Sequence, residues 1–283
     1  MAGPLKLWSP AKINLFLKVI GKRPDGYHDL VSLMCGISLR DQIVLTTGTE
    51  AISVACTYPG VPENETNLAV RAADLFYRHH SVSERVAIEI EKRIPVGAGL
   101  GGGSSNAATV LKGLNDCYGQ PLSADRLRTL GLSLGADVPF FLLGRPALAA
   151  GIGERLTPYQ GLEERKILVI YPGFGIATAE VYKKLNLGLT KCENHLKSFF
   201  LKQNGFIPAQ HLCNDLETVV IPRYPEIATA KKRLLESGAE GALMSGSGSS
   251  IFGLFVDLKK ARAAEKALAP HYGGAVFLGD LLV

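Results

Sequence analysis

A chain of 283 residues with 47% hydrophobic and 20% charged residues is long enough to bury a full core and lies far from the composition of a disordered segment. Its net charge of +5 is dispersed, with no basic stripe interleaved with aromatics, so a nucleic-acid partner is not expected and anionic small molecules fit the excess equally well. Five widely spaced cysteines without a Cys-x-x-Cys pair imply reduced thiols in a cytoplasmic protein, six histidines without His-Glu-x-x-His spacing imply no structural or catalytic zinc, and no apolar run approaches the roughly 20 residues that span a bilayer.

In chain order, Lys12 to Val19 alternates, with Ile13, Leu15, Leu17 and Val19 on one face and Lys12, Asn14, Phe16 and Lys18 on the other. This predicts a strand with one face in a core. Lys6, Lys12 and Lys18 break the apolar stretch and argue against a secretory signal. Lys22 to His28, carrying Pro24-Asp25-Gly26, reads as a turn. Strand-like runs follow at 31–46 and 51–57, then a helix from Asn67 to His79 with Leu68, Ala72, Leu75 and Phe76 on one face. Val86 to Glu91 alternates as a half-buried strand, and the Ala-rich run from Ser104 to Cys117 reads as a helix opened by serines. A short helix is expected over Ser123 to Leu134.

Glycines at 144, 151 and 153 punctuate the middle of the chain, so a boundary is expected between 150 and 165, dividing it into residues 1–157 and 158–283. The second part begins with a strand over Lys166 to Ile170 and holds helices near 178–186, 193–202 and 225–237. A glycine-serine run from Met244 to Ser250 leads into a strand at 251–256, followed by a helix at 259–268 and a strand at 275–278. Irregular mixing of the two element types makes the class α+β.

Between the strand at 86–91 and the next helix lie Pro95, Val96, Gly97, Ala98, Gly99, Leu100, Gly101, Gly102, Gly103, Ser104 and Ser105. Strand, glycine loop and helix together bring bare backbone N–H groups and a positive helix terminus against phosphate. The Gly97-x-Gly99-x-x-Gly102 spacing formally satisfies a dinucleotide fingerprint, but the acidic residue expected about 20 positions on is missing. A Walker loop would need Gly-Lys-Ser/Thr where this chain has Gly-Gly-Ser-Ser. A flexible linker would not sit between an amphipathic strand and an Ala-rich helix. The loop therefore reads as a nucleotide phosphate site of another kind.

Two further groups supply chemistry. Lys12 shares a strand face with Asn14, and Asp137 enters an apolar stretch, Gly135-Ala136-Asp137-Val138-Pro139-Phe140-Phe141. Alone, the lysine reads as solvated and the aspartate as a helix cap or turn. Beside a phosphate loop, an aspartate that accepts a hydroxyl proton and a lysine that steadies developing charge are what hydroxyl phosphorylation needs. The Ser245–Ser250 run reads either as a flexible turn or as a second set of N–H groups facing a phosphate or the first loop.

Ser9-Pro-Ala-Lys-Ile-Asn-Leu-Phe-Leu, Arg23-Pro-Asp-Gly-Tyr-His, Gly99-Leu-Gly-Gly-Gly-Ser-Ser-Asn-Ala-Ala, Gly135-Ala-Asp-Val-Pro-Phe-Phe and Met244-Ser-Gly-Ser-Gly stand in this order along nearly the whole chain. They resemble the signature regions of the GHMP kinase superfamily, and the tripled Gly101-Gly102-Gly103 resembles its members that phosphorylate 4-diphosphocytidyl-2-C-methyl-D-erythritol. The resemblance implies transfer of the ATP γ-phosphoryl group to the C2 hydroxyl of that substrate, in the non-mevalonate isoprenoid pathway. It implies Asp137 as base, Lys12 as activating lysine, Pro95 to Ser105 as the ATP polyphosphate site, and Mg²⁺ arriving with ATP. Asn14 would hold the substrate near the reacting hydroxyl; Tyr27 and His28 would recognise cytosine, with Tyr182 as a second aromatic wall and Thr178 as a neighbouring polar contact. The implied fold is two-domain, an N-terminal domain like ribosomal protein S5 domain 2 and a ferredoxin-like C-terminal domain with the site between them, in a monomer or weak homodimer. A GHMP kinase for mevalonate, homoserine or a sugar, and a non-catalytic nucleotide-binding protein, are the alternatives.

Overall fold

A computed structural model describes residues 3–80, 82–190, 192, 205–273 and 275–283. The helix expected near 193–202 lies outside them. The chain forms two compact units, each discontinuous in sequence: residues 1–11, 40–94 and 101–144 make the first, and residues 12–39, 95–100 and 145–283 make the second.

The chain opens with two long strands, β1 (Leu5–Lys22) and β2 (His28–Thr49), each divided between the units. In the first unit β3 (Ser53–Cys56) runs parallel to β4 (Arg85–Glu91), and β4 pairs antiparallel with the second half of β2, Ile43 opposite Ile90 and Leu45 opposite Ile88. Alternation in β4 buries Val86, Ile88 and Ile90 on one face. Against them pack α1 (Leu68–His79), α2 (Gly102–Cys117), α3 (Ala124–Leu134) and α4 (Val138–Leu143).

The helix α1 starts where its sequence says it should: the Asn67 side chain accepts from the Ala69 N–H at 2.9 Å, and Ala69, Ala72, Ala73 and Phe76 form the buried stripe. Helix α2 lies close to the strands because Gly113 has no side chain; a Cβ there would sit 2.5 Å from the Leu7 side chain and 2.8 Å from that of Leu45. The short α4 was not anticipated, since Val-Pro-Phe-Phe-Leu-Leu is too brief for a helical period to show.

In the second unit the first half of β2 pairs with β5 (Ala147–Gly151), which pairs with β6 (Arg155–Pro158). Next come β7 (Lys166–Ile170), α5 (Thr178–Lys183), α6 (Pro208–His211), β8 (Cys213–Asn214), α7 (Glu217–Val220), α8 (Pro225–Glu236), β9 (Gly241–Met244), β10 (Ile251–Phe255), α9 (Leu258–Leu268) and β11 (Val276–Leu282). Strands β9, β10, β7 and β11 form an antiparallel sheet in that order, with Phe252 opposite both Leu243 and Val169. Ile227, Ala230 and Leu234 of α8 and Ala261, Ala264 and Leu268 of α9 share a core with Leu168, Ile170, Ile251 and Phe255. Strand β8 lies parallel to β1, Phe16 opposite Cys213.

Two expectations are corrected here. Both faces of β1 are covered between Ala11 and Leu17, so Lys12, Asn14 and Phe16 are buried along with the aliphatic row. The thiols are not all reduced either: Cys192 and Cys213, 21 residues apart, form a disulfide. Sequence spacing revealed no pair because the two meet only once β8 is placed.

Candidate active site

The glycine loop is built so that its carbonyls face the protein and its amides do not. Gly97, Gly99 and Gly101 have φ of +67°, +73° and +70° and alternate with residues of ordinary handedness. Such alternation aims successive N–H groups to one side, forming an anion-binding nest. The carbonyls from Gly97 to Leu100 are engaged: Gly97 O accepts from Ile176 N at 3.1 Å, Ala98 O from Ser250 N at 3.1 Å, Gly99 O from Ser245 Oγ at 2.9 Å and Leu100 O from Lys12 N at 3.0 Å. Among the described residues, no backbone N–H from Gly99 to Ser104 donates to a protein acceptor. Nothing but glycine fits at 99, where a Cβ would stand 2.2 Å from the Ser245 carbonyl oxygen.

Helix α2 follows directly, and its start differs from expectation. It begins at Gly102, two residues before the serines, and its cap is Gly101, which offers no side-chain bond. The first-turn amides therefore have no side-chain acceptor at the positive end of the helix. Ser104 and Ser105 lie in the first turn instead of capping it.

Both ends of this loop are fastened within the first unit to one carboxylate that sequence reasoning missed. Asp41 of β2 is fully buried; its Oδ1 accepts from Arg93 N at 2.8 Å and Ile94 N at 2.9 Å, just before the loop. Its Oδ2 accepts from Lys92 Nζ at 2.5 Å and from Asn106 Nδ2 at 2.9 Å, just after it. Asn106 also donates to Ser9 Oγ at 2.9 Å, and Ser9 donates to Ser105 Oγ at 2.7 Å. A buried carboxylate with four donors is held in place, and with it the two ends of the loop. Asn106 and Ser9 lay inside recognised motifs; Asp41, in Leu39-Arg40-Asp41-Gln42, gave no signal at all.

The Ser245–Ser250 run serves the first loop and is buried throughout. Asn214 of β8 holds it, donating to Met244 O at 2.9 Å and Gly246 O at 2.7 Å. Nearby on β1, the Lys12 ammonium donates to Asn14 Oδ1 at 2.6 Å, and Asn14 Nδ2 donates to Ser32 Oγ at 2.7 Å. The 23–27 turn forms as read, with Arg23 N donating to Tyr27 O at 2.8 Å and Gly26 at φ +89°. It leaves Tyr27 60% exposed and His28 buried. His28 stands 5.2 Å from the Tyr182 ring, tilted by 36°. Burial and, secondarily, the Lys22 charge hold its imidazole below the ordinary value. Thr178 opens α5 and its hydroxyl meets Ser247 Oγ at 2.8 Å; the helix stops at Lys183, three residues earlier than expected. So Lys12, Asn14, His28, Thr178, Tyr182 and the loop from Pro95 to Leu100 belong to the second unit.

Asp137 belongs to the first unit, with Gly101 to Ser105. It is partly buried at the cap position of α4 and makes no capping bond. Its segment runs beside the start of α2: a Cβ on Gly135 would lie 3.7 Å from Ser104 Oγ. The one cluster of potential metal ligands among the described residues, Cys192, Cys213 and Asp215, has its two sulfurs in the disulfide.

Comparison with known proteins identifies the family. The model for the GHMP kinases N terminal domain matches residues 67–145 and that for GHMP kinases C terminal matches residues 202–274. The 4-diphosphocytidyl-2-C-methyl-D-erythritol kinase of Geobacter sulfurreducens is 47% identical over 96% of this chain and 97% of its own length. That of Syntrophotalea carbinolica is 46% identical over 95% and 96%. A crystal structure of 4-(cytidine 5'-diphospho)-2C-methyl-D-erythritol kinase superposes with a TM-score of 0.82 at 37% identity, covering 98% of this chain and 99% of that one. The homoserine kinase of Cytophaga hutchinsonii, 16% identical with a TM-score of 0.75 over 100% of this chain and 96% of its own, shares the fold. The chain has the GHMP kinase fold and belongs to the 4-diphosphocytidyl-2-C-methyl-D-erythritol kinase family.

Proposed function

We propose that this kinase transfers the γ-phosphoryl group of ATP to the C2 hydroxyl of 4-diphosphocytidyl-2-C-methyl-D-erythritol, giving the 2-phosphate and ADP, in the non-mevalonate route to isoprenoid precursors. The observation that carries the reading is the loop whose carbonyls are bound and whose amides are unused, in a chain this similar to kinases of that name. Phosphoryl transfer asks a protein mainly for positioning and charge stabilisation. The amides from Gly97 to Ser104, at the start of α2, hold the polyphosphate, with Pro95 and Val96 setting the entry to the loop and Ser105 closing it.

In the reaction the substrate oxygen bonds to the γ-phosphorus as the bond to the β-phosphate oxygen breaks. Asp137 accepts the hydroxyl proton, and Lys12 stabilises charge on the reacting oxygens. Asn14 orients the substrate beside that hydroxyl. Tyr27 offers cytosine a stacking face, His28 contacts its polar edge as a neutral imidazole, and Tyr182 and Thr178 complete the nucleoside contacts. Mg²⁺ arriving with ATP would supply further neutralisation of charge.

No helix among the described residues is long and apolar enough to cross a membrane. A cytoplasmic monomer or weak homodimer, organised in sequence as residues 1–157 and 158–283, completes the reading. ADP release measured across a panel of alcohols tests it. Turnover is expected with the diphosphocytidyl compound and not with mevalonate, homoserine or sugars. The reverse preference, or ADP release no faster than without an acceptor, would overturn it.

A further inference from the structure

We infer that Ser32 is a positioning residue for phosphoryl transfer: by fixing which end of the Asn14 amide faces Lys12, it sets the place of the Lys12 ammonium. The inference rests on the reading of Lys12 as the charge-stabilising lysine. Lys12 is only 5% exposed, so its ammonium, withdrawn from water, needs oriented acceptors. Asn14 Oδ1 provides one at 2.6 Å. An amide can present either end, and the wrong one would set an NH₂ against an NH₃⁺.

Ser32 decides between them. It is 1% exposed on β2, and its single hydroxyl hydrogen goes to the carbonyl of Phe16 at 2.6 Å. Only lone pairs then remain for Asn14, so the Asn14 Nδ2 donates to it at 2.7 Å and the amide oxygen is turned toward Lys12. Donation runs one way, from Lys12 through Asn14 and Ser32 to a backbone carbonyl of β1. Gly246 closes the other side of the amide oxygen, where even a Cβ would lie 3.4 Å away. Removing the Ser32 hydroxyl takes away the acceptor that holds Asn14 Nδ2, so only Lys12 then fixes the amide.

The test uses the full-length chain, with ADP release at saturating substrates, KM for ATP and thermal midpoint measured for wild type, Ser32→Ala, Ser32→Thr and Lys12→Met. Ser32→Ala is expected to lower kcat about tenfold with KM for ATP within about twofold, and Ser32→Thr, which keeps the hydroxyl, to recover most of the loss. Unchanged kcat in Ser32→Ala beside an inactive Lys12→Met would overturn the relay alone. So would a fall in thermal midpoint with kcat and KM for ATP degraded together, which is a structural role. An active Lys12→Met would remove the reading of Lys12 itself, and the inference with it. If Ser32→Ala does not fold, Ser32→Cys, which keeps the volume but donates weakly, is judged by the same outcomes.

Discussion

The glycine loop and the Lys12 face of β1 handle charge in opposite ways. Between Gly97 and Gly103 the chain discards side chains, turns its carbonyls inward and leaves amide dipoles as the charge-bearing groups. On β1 a full cation is carried into the interior and steadied by side chains, first Asn14 and then Ser32. The first arrangement is fixed by backbone dihedrals and so is written in consecutive residues. The second depends on β1 and β2 meeting in register, and nothing local to Lys12 announces it. A phosphate can be held by many small dipoles; charge arising at a reacting hydroxyl needs groups placed at single atoms.

This division predicts that the two kinds of site fail differently. The largest effect is expected at Asp137: Asp137→Asn should cut kcat by roughly 10²–10⁴-fold while ATP affinity, measured by calorimetry, changes little. Near-normal turnover would remove Asp137 from the role of base. The reciprocal outcome belongs to Gly99→Ala. A Cβ 2.2 Å from the Ser245 carbonyl, at a φ that costs an L-residue about 1–2 kcal/mol, should lower the thermal midpoint and weaken ATP binding severely. If ATP affinity survived that change, the loop would not be the phosphate site.

Smaller effects should appear at the cytosine end. Tyr27→Ala removes an exposed ring worth about 1–3 kcal/mol as a base-stacking surface, so KM for the cytidine substrate should rise about tenfold with KM for ATP unmoved. Equal shifts in both would argue against the role. The smallest concerns pH. Burial, aided by Lys22, depresses the His28 pKa, so the ring is neutral at pH 7 and charges only below the ordinary value of 6.5. KM for the cytidine substrate should therefore be flat from pH 7 to 8 and climb only in more acidic solution; a change across pH 7 to 8 lost in His28→Gln would mean the ring titrates there.

The sequence disclosed what is local. The start of α1 beside Asn67, the Pro24-Asp25-Gly26 turn, the alternation of β4 and the glycine loop itself all depend on near neighbours, and each is where the residues said it would be. It was silent on Asp41, whose four donors come from two separate segments, 92–94 and Asn106, and on Ser32, a serine among apolar residues. Alternation along β1 showed that its two faces differ but not that both are covered. The serines after Gly103 looked like a cap because Ser is a good one; Gly101, already left-handed, starts α2 first.

Binding of the ATP phosphates by backbone amides of the glycine loop is the step on which the proposed reaction depends. It is tested most directly by following the ¹⁵N–¹H resonances of Gly97, Gly99, Gly101, Gly102 and Gly103 while a non-hydrolysable ATP analogue is added. These amide protons are expected to move downfield together, saturating at the Kd found by calorimetry, as new hydrogen bonds to phosphate form. Saturable binding that leaves all five resonances in place would contradict it.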